Sequence, residues 1–588
     1  MSEPHNPSVR VAVIALGLLG AGLLALWFSD RTWVGVLLTL TGRDEPVSSL
    51  LHAYYRDGQA ILGAAILLST LVAAVRPQLF HGLACIAQDL TDIRFRAMIF
   101  GAALLSALVL QWLLFENIPH VTDAISHDFQ ARILAEGKLF APKPPCPDAF
   151  TQYHVIMTTD GKWFSKYTPG HPVLLAAGYL LRLRLLPVAL CHALSAIAIL
   201  ALVRRFFNEA TGRWVSLLFV LSPMAVLLGA SFMSHTSFLC VALFGTLALC
   251  RSEAASRTAH AAGPAWGWAL LAGLLWGWAV LTLPQDAVIA GGMVTVGAAV
   301  AYRGPWRRLI AVGMRALPGL LPPLLFLLVW NRAQYGTWLA IGYGFTQDQV
   351  VNRLYQGTYG FGPGFTLQDA LYLTKYTLYR FDRALLGWPL TLPLCLLALW
   401  WHRCDRRDLA CIACMAVHAG VYFFYDYYGM EYEARYYFNL TPFALLLLVR
   451  SFHPDLARPF PTFGWVRGVL IVAFFAHSFL HFWPRFVAPT YGTEYAEVST
   501  TPIRHARALL SEYPEGTRLL IVVNVTPERR FTYGGGFLYT DPWLRGPILF
   551  AMRRPDILDC LRTAFPDRIL YQMDPIDFHV APLLPEDL

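Results

Sequence analysis

Charged side chains are scarce in this 588-residue chain. Only 14% of its residues are Asp, Glu, Lys or Arg, where a soluble protein carries roughly 25%. That shortfall excludes a disordered chain, a coiled coil and an ordinary cytosolic enzyme. The net charge of +8 is modest and comes mostly from Arg in short, dispersed clusters. No basic stripe of the kind that binds nucleic acid is present. Ten cysteines in this length make no disulfide scaffold. Most of them, Cys191, Cys240, Cys250, Cys395, Cys411 and Cys414, lie in apolar runs. Cys411 and Cys414 have C-x-x-C spacing but no second pair, so helix packing is the simpler reading. Internal repeats and low-complexity segments are also lacking.

What is abundant is apolar surface. Hydrophobic residues make up 56% and aromatics 14%, with mean hydropathy +0.47. One soluble core of this size cannot hide that much, and the chain reads as an all-α polytopic membrane protein. Runs able to cross a bilayer fall near 9–28, 58–75, 97–115, 188–203, 214–229, 236–250, 266–282, 287–301, 308–330, 386–401, 409–424, 436–450 and 464–482. At ~20 residues per span this gives about thirteen helices. The first run follows Arg10, is long for a signal peptide, and meets Asp30 and Arg31 with no small-x-small cleavage site. It is read as a retained span.

Arg placement orients the chain. With the N-terminus inside, the inner loops carry Arg76, Arg94 and Arg96; Arg204, Arg205 and Arg213; Arg251 and Arg257; Arg303, Arg307 and Arg308; Arg403, Arg406 and Arg407; and Arg450 and Arg458. The first outer connection is an exception, with Arg31, Arg43 and Arg56. The opposite orientation puts all six clusters on the wrong side. Residues 172–185 are apolar but short and hold Arg182 and Arg184, so they read as an amphipathic helix on the outer interface.

Three regions follow: helices and a cytoplasmic loop over 1–90, a membrane core over 91–483, and a small α/β extracytoplasmic domain over 484–588. The core carries two long outer loops, 116–171 and 331–385. Loops of that length with little secondary structure are usually functional. In the tail, LLIVVNV (519–525) is a strand candidate after a helical stretch, with a second helix over 555–565.

The first outer loop opens with PHVTDAISHDFQARILAEGKLFAP (119–142). Asp123 sits just beyond the membrane edge, where shielding from water can raise a carboxylate toward useful base strength. A helix from Asp123 to Gly137 puts Asp123 and His127 on one face, with Asp128 and Glu136 nearby. The competing reading is a solvated interfacial helix with ordinary charges. The loop ends with KWFSKYTPGHP (162–172), where Lys166 can meet a lipid phosphate or merely snorkel beside aromatics.

These segments, in this order, resemble the GT-C membrane glycosyltransferases, in particular bacterial relatives of protein O-mannosyltransferases and aminoarabinose transferases. The likeness rests on Asp123, Phe129 and QARILAEGKL (130–139), then FSKYTPGHP (164–172), MSHT (233–236), FGPGF (361–365), LLGWP (385–389) and EARYYFNLTP (433–442). It spans roughly 95–450. The resemblance implies a GT-C fold in a bacterial inner membrane, with the N-terminus cytoplasmic and the C-terminus extracytoplasmic. It implies transfer of a sugar from a polyprenyl-phosphate donor to a hydroxyl of a cell-envelope glycan, lipid or protein, with inversion. Asp123 would be the base. Lys166, Arg435 and Tyr436 would bind donor phosphate. Beside the resemblance, His127, Asp128, Tyr167, His171 and His235 are candidates for substrate contact, with a helix cap as the competing reading of His235. Departures are Ala124 in place of the usual Glu, His127 where Tyr is common, and Leu283-Pro284 followed by Gln285-Asp286 in place of Arg-Pro.

No cofactor is assigned, and a divalent cation stays open. His477 and His481 are four apart and can face one metal, but no third ligand is evident. Gly534-Gly535-Gly536 lacks the spacing of a nucleotide loop. Cys146 and Cys560 both fall outside and can pair if they are near each other. Two other functions compete. A glycan polymerase or ligase using polyprenyl diphosphate also needs an outer loop with cations. A lipid or solute transporter would show repeats and charges deep in its spans, and this chain gathers its charge in the loops.

Overall fold

The apolar runs become helices in the computed structural model, which describes residues 7–28, 49–76, 90–257, 262–340, 342, 358–362, 364–401, 404–427, 431–451, 464–525, 530–554 and 556–583. Arg31, Arg43, Arg403, Arg458 and Pro363 lie outside the described residues. Eight described helices are long and apolar enough to cross a membrane, or nine if Glu209–Leu221 and Pro223–Gly229 form one span bent by 63°. The bend has a local cause. Pro223 cannot continue the first helix, and the Ser222 hydroxyl caps the second by accepting from the Ala225 amide.

The other four of about thirteen sequence positions carry shorter or more charged helices: Ile14–Leu26, Thr391–Trp401, Arg406–Phe423 and Thr441–Ser451. An 11-residue helix rises only about 16 Å, half the hydrocarbon thickness. The run at 436–450 is not one uniform α-helix. A tight 3-10 turn, Arg435–Leu440, precedes the helix, and Pro442 sits in that helix's first turn, where proline starts rather than continues a helix.

Six loops expected on one face meet on one face. Arg204 pairs with Asp92 and Glu209, Arg213 with Glu209, and Arg96 with Asp92. Arg205 and Arg257 share Glu253, which also accepts from the Tyr302 hydroxyl. Arg450 pairs with Asp405 and Asp408 and lies over Phe207, and Arg407 donates to the Phe206 carbonyl nearby. Helix packing elsewhere uses small groups: the Cys414 thiol donates to the Met293 carbonyl, joining Arg406–Phe423 to Pro284–Ala301.

The opposite end carries the loops, and they are more ordered than their sequence suggests. Residues 331–385 contain a 20-residue amphipathic helix, Leu367–Leu386, started by a Thr366/Asp369 capping box. The 172–185 segment crosses nothing. Its helix, Gly170–Leu180, is 11 residues long and half buried against the bundle.

In the tail, four strands form a sheet in the spatial order Ile548–Met552, Leu519–Val523, Ile569–Met573 and Val580–Pro582. The central strand is buried along its whole length and pairs in parallel on both sides, which accounts for its unbroken apolar run. This unit is not a free appendage. Its core is shared with Ile125, Phe129, Ile133, Phe150 and Trp163 of the first loop. Each such buried side chain contributes about 1.5–3 kcal/mol if water-exposed when unfolded. Cys146 and Cys560 form a disulfide across the same seam. The Gly534–Gly536 run lies in a helix, where a side chain at Gly535 would strike the Val498 carbonyl.

Candidate active site

The sequence PHVTDAISHDFQARILA leaves the Asp92–Leu113 helix and turns at once into a second helix, Thr122–Ala135. Nine of its 14 residues are buried, on all sides rather than along one stripe. Ala124 and Ala131 face the helical bundle, while Ile125, Phe129 and Ile133 face the α/β unit. Asp123 lies in its first turn, where a carboxylate interacts favourably with the helix dipole.

A three-stranded sheet brings the second motif alongside. Strand β3 (Lys162–Ser165) runs between β1 (Ala141–Pro142) and β2 (Val155–Met157), antiparallel to both. Gln130 locks this sheet to the helix. Its carboxamide accepts from the Ser165 amide at 3.0 Å and donates to the Leu139 carbonyl at 2.9 Å. Ser126 adds a bond to the His154 carbonyl at 2.6 Å and one to the Ser165 hydroxyl at 2.7 Å. The strand then delivers Lys166 and Tyr167. The turn that follows is glycine at 170 because an added Cβ would lie 2.6 Å from the Leu281 carbonyl carbon and the Thr282 hydroxyl.

Around Asp123 the chain gathers groups from distant segments. The Tyr167 hydroxyl donates to its Oδ1. Arg435 Nη2 stands 3.7 Å and His154 Nε2 3.8 Å from Oδ2. Lys166, 7% exposed, has its ammonium 5.3 Å from the Tyr167 ring centre. Arg435 also reaches Glu431 at 3.2 Å and donates to the Tyr436 hydroxyl at 3.3 Å. Asp123 keeps 21% of its side chain exposed, so the cluster opens to a ligand.

Burial opposes ionisation of Asp123, but Arg435, His154, the Tyr167 hydrogen bond and Lys166 outweigh it and hold the carboxyl well below its usual range. His154 is itself pushed down to about 3 by burial and by Lys166, so it is neutral at pH 7. The charges that keep Asp123 ionised are therefore those of Arg435 and Lys166. Burial lowers Lys166 to about 8, against the pull of Asp123.

The remaining sequence candidates divide. His127 stacks on Tyr167 at 4.3 Å and meets His171 edge-on at 4.9 Å. Burial, reinforced by His171, keeps it neutral. His235 is buried with its Nδ1 unbonded, and its ring lies 6.5 Å from that of Tyr436. His171 binds protein through both nitrogens, Nδ1 to the Ser237 hydroxyl at 2.9 Å and Nε2 to the Phe232 carbonyl at 2.8 Å. It anchors the motif rather than offering a ring nitrogen to substrate. Asp128 is neither a solvated helix charge nor open to substrate. It is 1% exposed, accepts from the Tyr179 hydroxyl at 2.5 Å and pairs with Arg132 at 3.2 Å. Five residues separate it from Asp123, which turns it to another side of the helix.

Three groups were not found in the sequence. His154 has no motif around it. Asp286, in the altered Leu283-Pro284-Gln285-Asp286 stretch, accepts from Asn439 at 2.7 Å and from the Tyr422 hydroxyl at 3.5 Å. Glu433, with Arg380 and Arg383, forms a second ion cluster close in sequence to Arg435. Among the described residues, no three His, Cys, Asp or Glu side chains gather as metal ligands. His477 instead bonds the Gly387 carbonyl at 2.6 Å, with the His481 ring 5.1 Å away.

No protein-family model matches the chain, and no curated protein matches it in sequence. Solved structures do. ArnT from Cupriavidus metallidurans bound to undecaprenyl phosphate superposes with a TM-score of 0.50 at 15% identity, covering 82% of this chain and 89% of that one. Its apo state gives 0.48 at 16% identity, over 80% and 89%. The Archaeoglobus fulgidus oligosaccharyltransferase in complex with Zn and sulfate gives 0.47 at 12% identity, over 77% and 62%. On the first of these, the chain shares the fold of that ArnT structure.

Proposed function

We propose that this protein moves a sugar from a polyprenyl-phosphate donor to an acceptor hydroxyl, at the face of a bacterial inner membrane that carries the long loops. That face is the extracytoplasmic one, the six Arg clusters and the N-terminus lie inside, and residues 484–588 lie outside over a catalytic core of 91–483 preceded by 1–90. The observation that carries the reading is a partly exposed, ionised Asp123 flanked by Arg435 and Lys166 where the apolar bundle meets the loops. An anionic headgroup on a lipid tail needs cations at that depth. The undecaprenyl phosphate bound by the ArnT of the same fold supports this choice of donor.

The chemistry follows from the charges. Lys166 and Arg435, with the Tyr436 hydroxyl beside it, bind the donor phosphate. The acceptor hydroxyl passes its proton to Asp123 as its oxygen attacks the anomeric carbon from the side opposite the phosphate. The bond from that carbon to the phosphate oxygen breaks, the configuration inverts, and polyprenyl phosphate leaves with the electron pair. The two cations then stabilise the charge that grows on the leaving group. They also make Asp123 a weak base until the donor binds. A phosphate placed between them offsets part of their field and raises the affinity of Asp123 for a proton, so donor binding activates the base. His127 stacks on Tyr167, whose hydroxyl bonds Asp123, and the His235 ring lies 6.5 Å from that of Tyr436.

Purified protein offered a panel of polyprenyl phosphate sugars with envelope glycan, lipid and protein acceptors tests this. One donor is expected to yield free polyprenyl phosphate, and Asp123→Asn is expected to release it far more slowly. Sugar release only from a diphosphate-linked donor would assign the protein to the ligases instead.

A further inference from the structure

Arg435 reaches Asp123 from an unusual piece of backbone. Tyr432 and Glu433, the residues that lead into its turn, both adopt left-handed conformations, with φ of 58° and 62°. Neither is glycine, and such a pair persists only when its surroundings hold it. The holding groups are visible. The Glu433 carboxylate is wholly buried and takes bonds from Arg383 Nη2 at 2.7 Å, Arg380 Nε at 3.3 Å and Arg380 Nη2 at 3.4 Å. Both arginines come from one helix, Leu367–Leu386, one turn apart. Arg383 lies 4.1 Å over the Phe486 ring. Tyr432 stacks on Tyr491 with the rings 9° from parallel and packs against Phe115. The turn is thus pinned from three separate segments.

From this geometry we propose that Glu433 is a positioning residue, clamped by Arg380 and Arg383 so that the left-handed 432–433 turn presents Arg435 to Asp123 and to the donor phosphate. The assignment rests on the donor-binding role given to Arg435 above. The Glu433 carboxylate bonds Arg380 and Arg383 rather than Asp123. Its effect passes through the backbone to a guanidinium two residues on. The Leu367–Leu386 helix thereby sets the geometry of the phosphate site.

A double-mutant cycle tests this, read as binding of undecaprenyl phosphate to the full-length protein in detergent. Glu433→Asp keeps the charge and withdraws the carboxylate by one methylene. It is expected to weaken binding by about tenfold in the native background, the scale of one displaced charge-assisted bond. In an Arg435→Ala background the same change is expected to weaken it by less than about twofold, because groups that act through one another do not add. If Glu433→Asp does not fold, Arg380→Gln at the more exposed end of the clamp is read in the same way. Equal losses in both backgrounds, or no loss in the native one, overturn the positioning role while leaving Arg435 as a phosphate ligand. An Arg435→Ala variant that binds normally overturns the donor site first, and the positioning role falls with it.

Discussion

Asp123 and Glu433 stand in the same part of the molecule, each a carboxylate set among cations, and they are held differently. Glu433 is wholly buried, with Arg383 at 2.7 Å and Arg380 completing the cage. Asp123 is 21% exposed, and its cationic neighbour Arg435 stops at 3.7 Å, beyond hydrogen-bond reach. The first arrangement is saturated and can only hold a shape. The second leaves the carboxylate partly exposed and with a lone pair for a proton. Charge count alone does not separate structure from chemistry here; how completely the charges are used up does.

The largest expected effect breaks the reactive side of this contrast. Asp123→Asn keeps size and most hydrogen bonding but takes no proton, so turnover should fall by ~10²–10⁴-fold with undecaprenyl phosphate binding retained. Turnover within a few-fold of normal would remove Asp123 as the base. On the structural side, Arg383→Ala strips the shortest partner from a fully buried carboxylate. A loss of about 3–5 kcal/mol in unfolding free energy is expected, and an unchanged melt in detergent would show the cage to be relaxed in solution.

Asp128 sharpens the comparison, since it lies on the same helix as Asp123, five residues on, but is as enclosed as Glu433. Asp128→Asn should cost roughly 1–3 kcal/mol of stability through Tyr179 and Arg132, with turnover of the folded fraction nearly normal. A dead but stable Asp128→Asn would move the base to that residue. The smallest effect is on pH dependence. Lys166 is held at about 8 by burial, so its charge is present below that pH and lost as pH rises through it. The donor kcat/KM should fall by about tenfold between pH 7 and pH 9, and Lys166→Arg should flatten that limb because a guanidinium stays protonated. A profile unchanged by Lys166→Arg would separate Lys166 from the phosphate.

The two carboxylates also differ in how they were reached. Asp123 was legible because a polar motif follows an apolar run directly, and because FSKYTPGHP and EARYYFNLTP recur in order after it. The roles of Gln130 and Gly170 in those motifs are positional: one ties helix to strand and the other lets two backbones touch. Glu433 sits inside the last motif yet gave no signal, because its partners lie some fifty residues upstream in a segment that read as loop. That loop did carry a readable mark, the Thr366–Asp369 capping box ahead of apolar residues at helical spacing. The 436–450 run hid a different detail. Its hydropathy did not show that Arg435 and Asn439 turn inward to Asp123 and Asp286 from a 3-10 turn before Pro442.

The sequence by itself determined the helices, the segregation of arginine to one set of loops and the segments that meet at the site. Burial of apolar length and the cost of charge in lipid are local, additive demands, so a linear reading captures them. Tertiary structure alone decided that Cys146 meets Cys560, that Asp128 is enclosed while Asp123 is open, and that Glu433 rather than bulk water completes the arginine pair of the 367–386 helix. Those outcomes turn on distances between segments up to 414 residues apart. Electrostatic energy varies with distance and with exclusion of water, neither of which is a property of sequence position.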